Sequence, residues 1–282
     1  MHPIQDTVDR LKNEGFDVGI SQNLDQAWKI FKINGFAFIG FTIIAFLVAS
    51  MGQMIPFIGI LVSSIVLSPL LNVGYALVAD RINKGEANVP FEGFFQGFQH
   101  ARQLIPQAAI IFGVYMVIFI PFGIWIWTSG LFEFFSEVML DPTKVEDLEE
   151  PPLTMVWFIL GMMPFLLYIG LIFMFAPYFV VFHQCDFMEG LKFSFQIINK
   201  RFWAFFGAIL LLIFAFLFVT GLFVFLAVKL GVIFAVIGFL AVMALILIFS
   251  PFAQIFIYTW FENIVGTKKE GESDQIESHL VN

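Results

Sequence analysis

His183, Cys185 and Asp186 bring three kinds of metal ligand together within four positions. A zinc or iron–sulfur cage would draw its remaining ligands from a second cluster. None exists, because Cys185 is the sole cysteine and His2, His100 and His279 are scattered. A disulfide within the chain is excluded for the same reason. Asp186 and Glu189 have capping-box spacing, so the tetrapeptide reads as a short connection leading into a helix. The chain carries no Gly-rich phosphate loop, no zinc-protease helix motif and no G-x-S-x-G elbow. No catalytic residue, metal site or cofactor is expected, and the protein reads as a non-enzyme.

Three other sets of side chains could meet a ligand. Glu133, Glu137, Asp141, Glu146, Asp147, Glu149 and Glu150 crowd residues 131–153. A solvated acidic loop explains them better than a cation site. Asn72, Gln107 and Gln254 lie in strongly apolar surroundings, and Asn72 and Gln254 follow Pro69 and Pro251 by three positions. Proline frees a carbonyl one turn back, and a nearby amide can resatisfy it, so a structural role is expected for these amides. Lys29, Lys32, Arg102, Lys192, Lys200 and Arg201 stand beside aromatic residues in amphipathic segments. That pairing suits anionic headgroups, and these six are the candidate lipid-headgroup contacts. Ionisable residues deep inside apolar stretches, the usual mark of ion pathways, are nearly absent. Asp80 and Glu262 end their stretches, and Lys229 sits in a turn.

The elements that position these residues are six apolar stretches, at 36–53, 55–79, 107–128, 153–181, 203–228 and 230–261. Each runs to about 20 residues or more, enough for a helix to cross a bilayer core of about 30 Å. Only 13% of the chain is charged, whereas a soluble domain carries about 25%. Forty phenylalanines against five tyrosines agree, since a phenol needs a hydrogen-bond partner in lipid and a phenyl ring does not. The expected fold class is all-α, a polytopic six-helix transmembrane bundle. Residues 1–22 form a polar N-terminal segment, 23–265 the membrane domain and 266–282 a polar tail. The N-terminal segment lacks the basic-then-apolar plan of a cleaved signal, so the first span is expected to act as the insertion signal. Pro69, Pro177 and Pro251 are expected kink sites, and Pro164 with Gly161 and Gly170 should bend the fourth span.

Orientation follows from Lys and Arg. All 14 except Lys144 and Lys229 fall before the first span, in the second and fourth connections, or in the tail. By the positive-inside rule both termini are cytoplasmic and the acidic loop is outside. The net charge of −8 argues against nucleic acid as a partner, because phosphate binding needs a basic patch.

Amphipathic segments precede the odd-numbered spans. Leu24, Ala27, Trp28 and Phe31 share the spacing of one helical face, as do Phe91, Phe94, Phe95 and Phe98. Met188, Leu191, Phe195, Ile198 and Phe202 form a third stripe. The second and third segments align without gaps, Glu92 on Glu189, Gly93 on Gly190 and Phe98 on Phe195. Ser68-Pro69 and Asn72 likewise align with Ser250-Pro251 and Gln254, and Ala176-Pro177 holds a similar place in the fourth span. This predicts three parallel repeats, each an amphipathic helix plus two spans, in one membrane orientation.

The stretch MIPFIGILVSSIVLSPLLNVGYALVADRINKGEANVPFEGFFQGF resembles a group of uncharacterised bacterial polytopic inner-membrane proteins, the YciC-like proteins. APYFVVFHQCDFMEGLKFSFQIINKRFWAFFGA resembles the same group and the membrane domain of some glycerophosphodiester phosphodiesterases. The resemblance implies a bacterial cytoplasmic membrane and no established activity. Nothing in the chain matches the soluble phosphodiesterase domain. Two readings follow: a protein that organises lipids, anionic ones included, or partner membrane proteins; or a transporter or channel for a neutral or lipidic substrate.

The orientation has a direct test. Cysteines introduced at Thr143 and Lys144 should react with membrane-impermeant maleimide in intact spheroplasts. Protection of both until permeabilisation would invert the topology.

Overall fold

The computed structural model describes residues 4–53, 58–86, 88–129, 153–230 and 232–267. These residues form helices and short connections, with no strand among them. Six helical stretches are long and apolar enough to cross a membrane: Ile20–Gly52, Ile58–Asn83, Phe91–Thr128, Val156–His183, Phe202–Leu226 and Val236–Ile264. The chain is thus an all-α, six-span bundle. Residues 131–152, with Lys144 and the acidic loop, lie outside the described residues, as do Lys268 and Lys269.

Helix α1 (Ile4–Glu14) buries Ile4, Val8 and Leu11, one face at helical spacing. It packs against the third amphipathic segment, so the polar N-terminal segment belongs to the folded body. Helix α2 (Ile20–Gln53) carries the first amphipathic segment and the first span together, bent at Asn34 (φ −135°, ψ 37°). The second span starts as α3 (Ile58–Leu61), passes through a π-helical turn (Val62–Leu67) and continues as α4 (Ser68–Asn83). The Ser68 N–H reaches back five residues to the Ser63 carbonyl. Pro69 follows at once, and having no N–H it cannot restore the four-residue ladder there.

A 3-10 helix (Phe91–His100) leads into α5 (Ala101–Thr128). The fourth span is α6 (Leu153–Ile172) and α7 (Ala176–His183), separated by a turn. The Ser194 hydroxyl closes that break: it donates to the Ile172 carbonyl at 2.7 Å and accepts from the Phe175 N–H at 3.1 Å. The third amphipathic segment is α8 (Phe187–Lys200), followed by α9 (Phe202–Leu230) and α10 (Val232–Ile264). Helix α6 runs through Pro164 and α10 through Pro251 without interruption. The interruption of the fourth span falls ahead of Pro177, not at Pro164. Pro177 also lies about two turns nearer its helix end than Pro69 or Pro251, so its place is not theirs.

The second, fourth and sixth spans each rest their final turns on the next interfacial segment: α4 on the 3-10 helix, α7 on α8, and α10 on the start of α2. The last contact closes a ring. At the first joint the backbones touch. A Cβ on Gly74 would stand 2.0 Å from the Phe94 carbonyl oxygen, and one on Gly97 2.1 Å from that of Leu70. At the second, a Cβ on Gly190 would lie 2.9 Å from the Ala176 carbonyl oxygen. At the third, Thr259 donates to the Asn23 carbonyl, Trp260 to the Val18 carbonyl, and Asn263 to the side chains of Asn23 and Gln26.

These contacts turn the interfacial helices away from the faces expected for them. In the 3-10 helix Gly93, Phe94 and Gly97 are buried, while Phe95 and Phe98 are exposed. Three residues per turn, rather than 3.6, redirect that stripe. In α8 Leu191 and Ile198 are buried with Gly190, Phe193, Ser194 and Ile197, but Met188 and Phe195 are exposed. Small residues face the spans because they permit close approach. A large aromatic follows each of three buried small residues to the outside: Trp28 after Ala27, Phe98 after Gly97, Phe195 after Ser194.

Burial is concentrated in this layer of span ends and interfacial helices. Beyond it burial is sparse; no residue from 108 to 129 is buried, and the spans meet there in pairs, the third with the fourth through Phe122 and Phe158 and the fifth with the sixth through Phe216 and Phe249. Gly74→Ala should therefore be severe, because an overpacked core costs about 1–3 kcal/mol even against side chains that can move, and here the obstacle is backbone. Gly113→Ala, which would meet nothing within 4 Å, is the control. Thermal unfolding in detergent should show a clear loss of midpoint for the first and none for the second. Equal behaviour would mean that the α4 joint is not tight.

Candidate functional site

Two places could meet a ligand, the interfacial rim and a groove between the spans. At the rim all six basic candidates are exposed: Lys29 and Lys32 on α2, Arg102 at the start of α5, Lys192 and Lys200 on α8, and Arg201 just after it. None forms an ion pair among the described residues, where the pairs are Arg81–Glu86 and Lys84–Asp80. Lys32 holds its ammonium 5.9 Å from the Trp28 ring centre. Arg201 borders an open cleft with Phe16, Asp17 and Gln22. The six are distributed over three segments rather than gathered in one pocket.

The His183–Asp186 group is occupied by structural work. His183 Nε2 lies 2.8 Å from the Gly266 carbonyl oxygen. Asp186 caps α8: its carboxylate accepts from the Met188 N–H, and Glu189 returns to the Asp186 N–H. Cys185 is 1% exposed. Burial, helped by the nearby Glu189 carboxylate, pushes its thiol up to about 12.

The groove, about 540 Å³, opens between the second, third, fourth and sixth spans. Pro69 and Pro177 stand in its wall, and its polar groups come from Ser64, Ser68, Asn72, Tyr115, Tyr178 and Gln254. Among the described residues no charged side chain lines it. Ser64 belongs to the π-helical turn, whose extra residue per turn re-aims that stretch of wall. Aromatic rings close the groove toward the packed layer, with Tyr178 and Phe182 against Phe261 and Phe182 against Tyr258. Tyr258 in turn donates to Asp80, which also accepts from Thr267. A cavity of about 140 Å³ lies on the other side of Ser68 and Asn72, bordered by Thr42, Tyr75 and Ser250.

No protein-family model matches the chain. No curated protein and no solved structure matches it either. The chemistry of the two places must be read from their own residues.

Asn72 and Gln254 do not act as expected. Neither makes a hydrogen bond with the described residues; both line the groove. The structural amide is Gln107, 1% exposed, which donates to the carbonyls of Ala176 and Phe187 at 3.2 Å and ties α5 to the break in the fourth span. Tyr115 and Tyr178 were not singled out by motif. Their signal lay in scarcity, since a phenol in lipid needs a partner. Tyr75 and Tyr258 have partners in Thr42 and Asp80, whereas the hydroxyls of Tyr115 and Tyr178 have none among the described residues.

Burial also governs the reactivity of Cys185. A thiol raised this far stays protonated at neutral pH, and only the thiolate attacks. Maleimide should leave folded protein unlabelled near neutral pH whichever side it approaches from. In denaturant the thiol returns to its ordinary value of about 8.5 and should label fully. Rapid labelling of folded protein would show the α7–α8 connection to be open.

Proposed function

We propose that this is a non-enzymatic protein of a bacterial cytoplasmic membrane that organises lipids through its packed interfacial layer, with both termini and that layer on the cytoplasmic side. One observation carries this reading. The interfacial segments present the aromatic rings of Trp28, Phe98 and Phe195 to the outside, with the cations Lys29, Lys32, Arg102, Lys192, Lys200 and Arg201, which form no ion pair among the described residues, on the same segments. Aromatic rings insert at headgroup level, and nearby cations attract anionic phosphates. The recurring small-then-aromatic pair and the three joints support three parallel repeats as the origin of this arrangement. The positive-inside bias and the resemblance to YciC-like proteins support the membrane and its orientation. Partner membrane proteins could bind the same exposed rim.

A second reading, transport of a neutral or lipidic substrate, draws support from the uncharged groove. It would require the aromatic floor of Tyr178, Phe182, Tyr258 and Phe261 to part.

The triple change Lys192→Gln, Lys200→Gln and Arg201→Gln tests the lipid reading. Each basic residue near an anionic leaflet contributes roughly 1 kcal/mol, screened by salt. Native mass spectrometry at low salt should show less anionic lipid retained, by up to about 3 kcal/mol of binding, in a variant of unchanged fold and topology. Equal retention would leave these charges an orienting role alone.

A further inference from the structure

We infer that the groove between the second, third, fourth and sixth spans binds the head of a neutral lipid carrying hydroxyl and ester groups, of the diacylglycerol class. The inference does not depend on the interfacial reading, which concerns charged residues on another part of the molecule.

Depth comes first. Asn72 lies about two turns from Ala79, where the apolar stretch of the second span ends. At 1.5 Å per residue that is about 10 Å, inside the hydrocarbon core in the half nearer the packed layer. The groove volume, about 540 Å³, falls within the range of about 300–1,000 Å³ typical of small-molecule sites. Met116 and Phe119 line it and are exposed. At that depth their exposure opens the groove to acyl chains, so a ligand enters from the bilayer.

The polar groups then select the head. Tyr178 is 4% exposed, lines the groove, and its hydroxyl makes no hydrogen bond with the described residues. Facing such a group unpaired into an apolar groove is unfavourable, and a ligand that pairs it recovers the loss. Tyr115, Asn72 and Gln254 are likewise unpaired around the same space. Hydroxyls and amides both donate and accept, so the complementary head offers both functions, as a free hydroxyl beside ester carbonyls does. An ionised phosphate or ammonium would meet no counter-charge, because no Lys, Arg, Asp or Glu among the described residues lines the groove. Burying an unpaired charge there is strongly unfavourable. The head is therefore neutral.

The test uses the full chain in phosphatidylcholine nanodiscs containing a diacylglycerol with a photoactivatable diazirine near its head. Crosslinks should map to peptides of the second, third, fourth or sixth span. Unlabelled diacylglycerol should compete, and neither phosphatidylglycerol nor free glycerol should. Asn72→Leu with Gln254→Leu removes two hydrogen-bonding groups and should lower crosslinking about tenfold. Because those amides have no hydrogen-bond partner among the described residues, its thermal midpoint should be unchanged or raised. Ala108→Trp, which fills the groove, should lower crosslinking with the amides intact. Competition by phosphatidylglycerol would make the groove a general lipid contact, and competition by glycerol would make it a site for soluble solutes; either overturns the proposal. So would undiminished crosslinking in the two variants, or a lowered midpoint in the amide variant, which would return Asn72 and Gln254 to a structural role.

Discussion

Helix α4 and the 3-10 helix approach until backbone meets backbone at Gly74 and Gly97, and the rest of the fold depends on contacts of this kind. In lipid, apolar side chains gain little by leaving the acyl chains for one another. Association then rests on close van der Waals packing and on hydrogen bonds. At the interface water is present, and burying apolar surface becomes favourable again. The segments that run along the interface can therefore grip the span ends more firmly than the spans grip each other. This explains why the largest fully buried rings, among them Phe94, Phe179, Trp260 and Phe261, all lie in that layer.

Most of the architecture was legible in the sequence, because hydropathy reports directly what each stretch is dissolved in. Six spans were expected and six candidate spans form. Helix faces were less legible. The apolar periodicity of α8 pointed to Met188 and Phe195, yet the face that meets the fourth span contains Gly190 and Ser194. Hydrophobic patterning marks what avoids water, and at a membrane interface both the span and the lipid satisfy that demand. Close contact is instead marked by small residues. The second segment misled further, because its 3-10 geometry changes the period on which the stripe was read. The break in the fourth span was hidden for a related reason. Pro164 and Pro177 look alike in sequence, but the break falls beside Pro177, where Ser194 from another helix satisfies the freed backbone.

The candidate sites divide in the same way. The basic rim was readable residue by residue, since exposed charge needs no partner to be recognised. The groove was not, because four spans build it and no single segment carries its pattern. Asn72 and Gln254 stand out in the sequence, but neither takes up the carbonyl that local geometry offers among the described residues, and both line the groove. Gln107, sixty-nine positions before Ala176 in sequence, took the capping role instead. The better local clue was the shortage of tyrosine, because each phenol retained in so apolar a chain needs a reason.

The ring of joints also bears on what the groove can do. Alternating access would require span ends to move apart on the packed side. Each such movement must separate something costly: touching backbones at Gly74 and Gly97, the Ser194 hydroxyl from the broken turn, or Asn263 from Asn23 and Gln26. The third joint links the start of the chain to its end, so loosening it opens the ring without unravelling either neighbour. Even there Thr259, Trp260 and Asn263 would all leave their partners while the Tyr258–Asp80 bond anchors the sixth span to the second. Entry from the bilayer asks for none of this. The wall beside Met116 and Phe119 is already exposed. A closed ring beneath an open groove therefore favours holding a lipid within one leaflet over passing it through the packed layer.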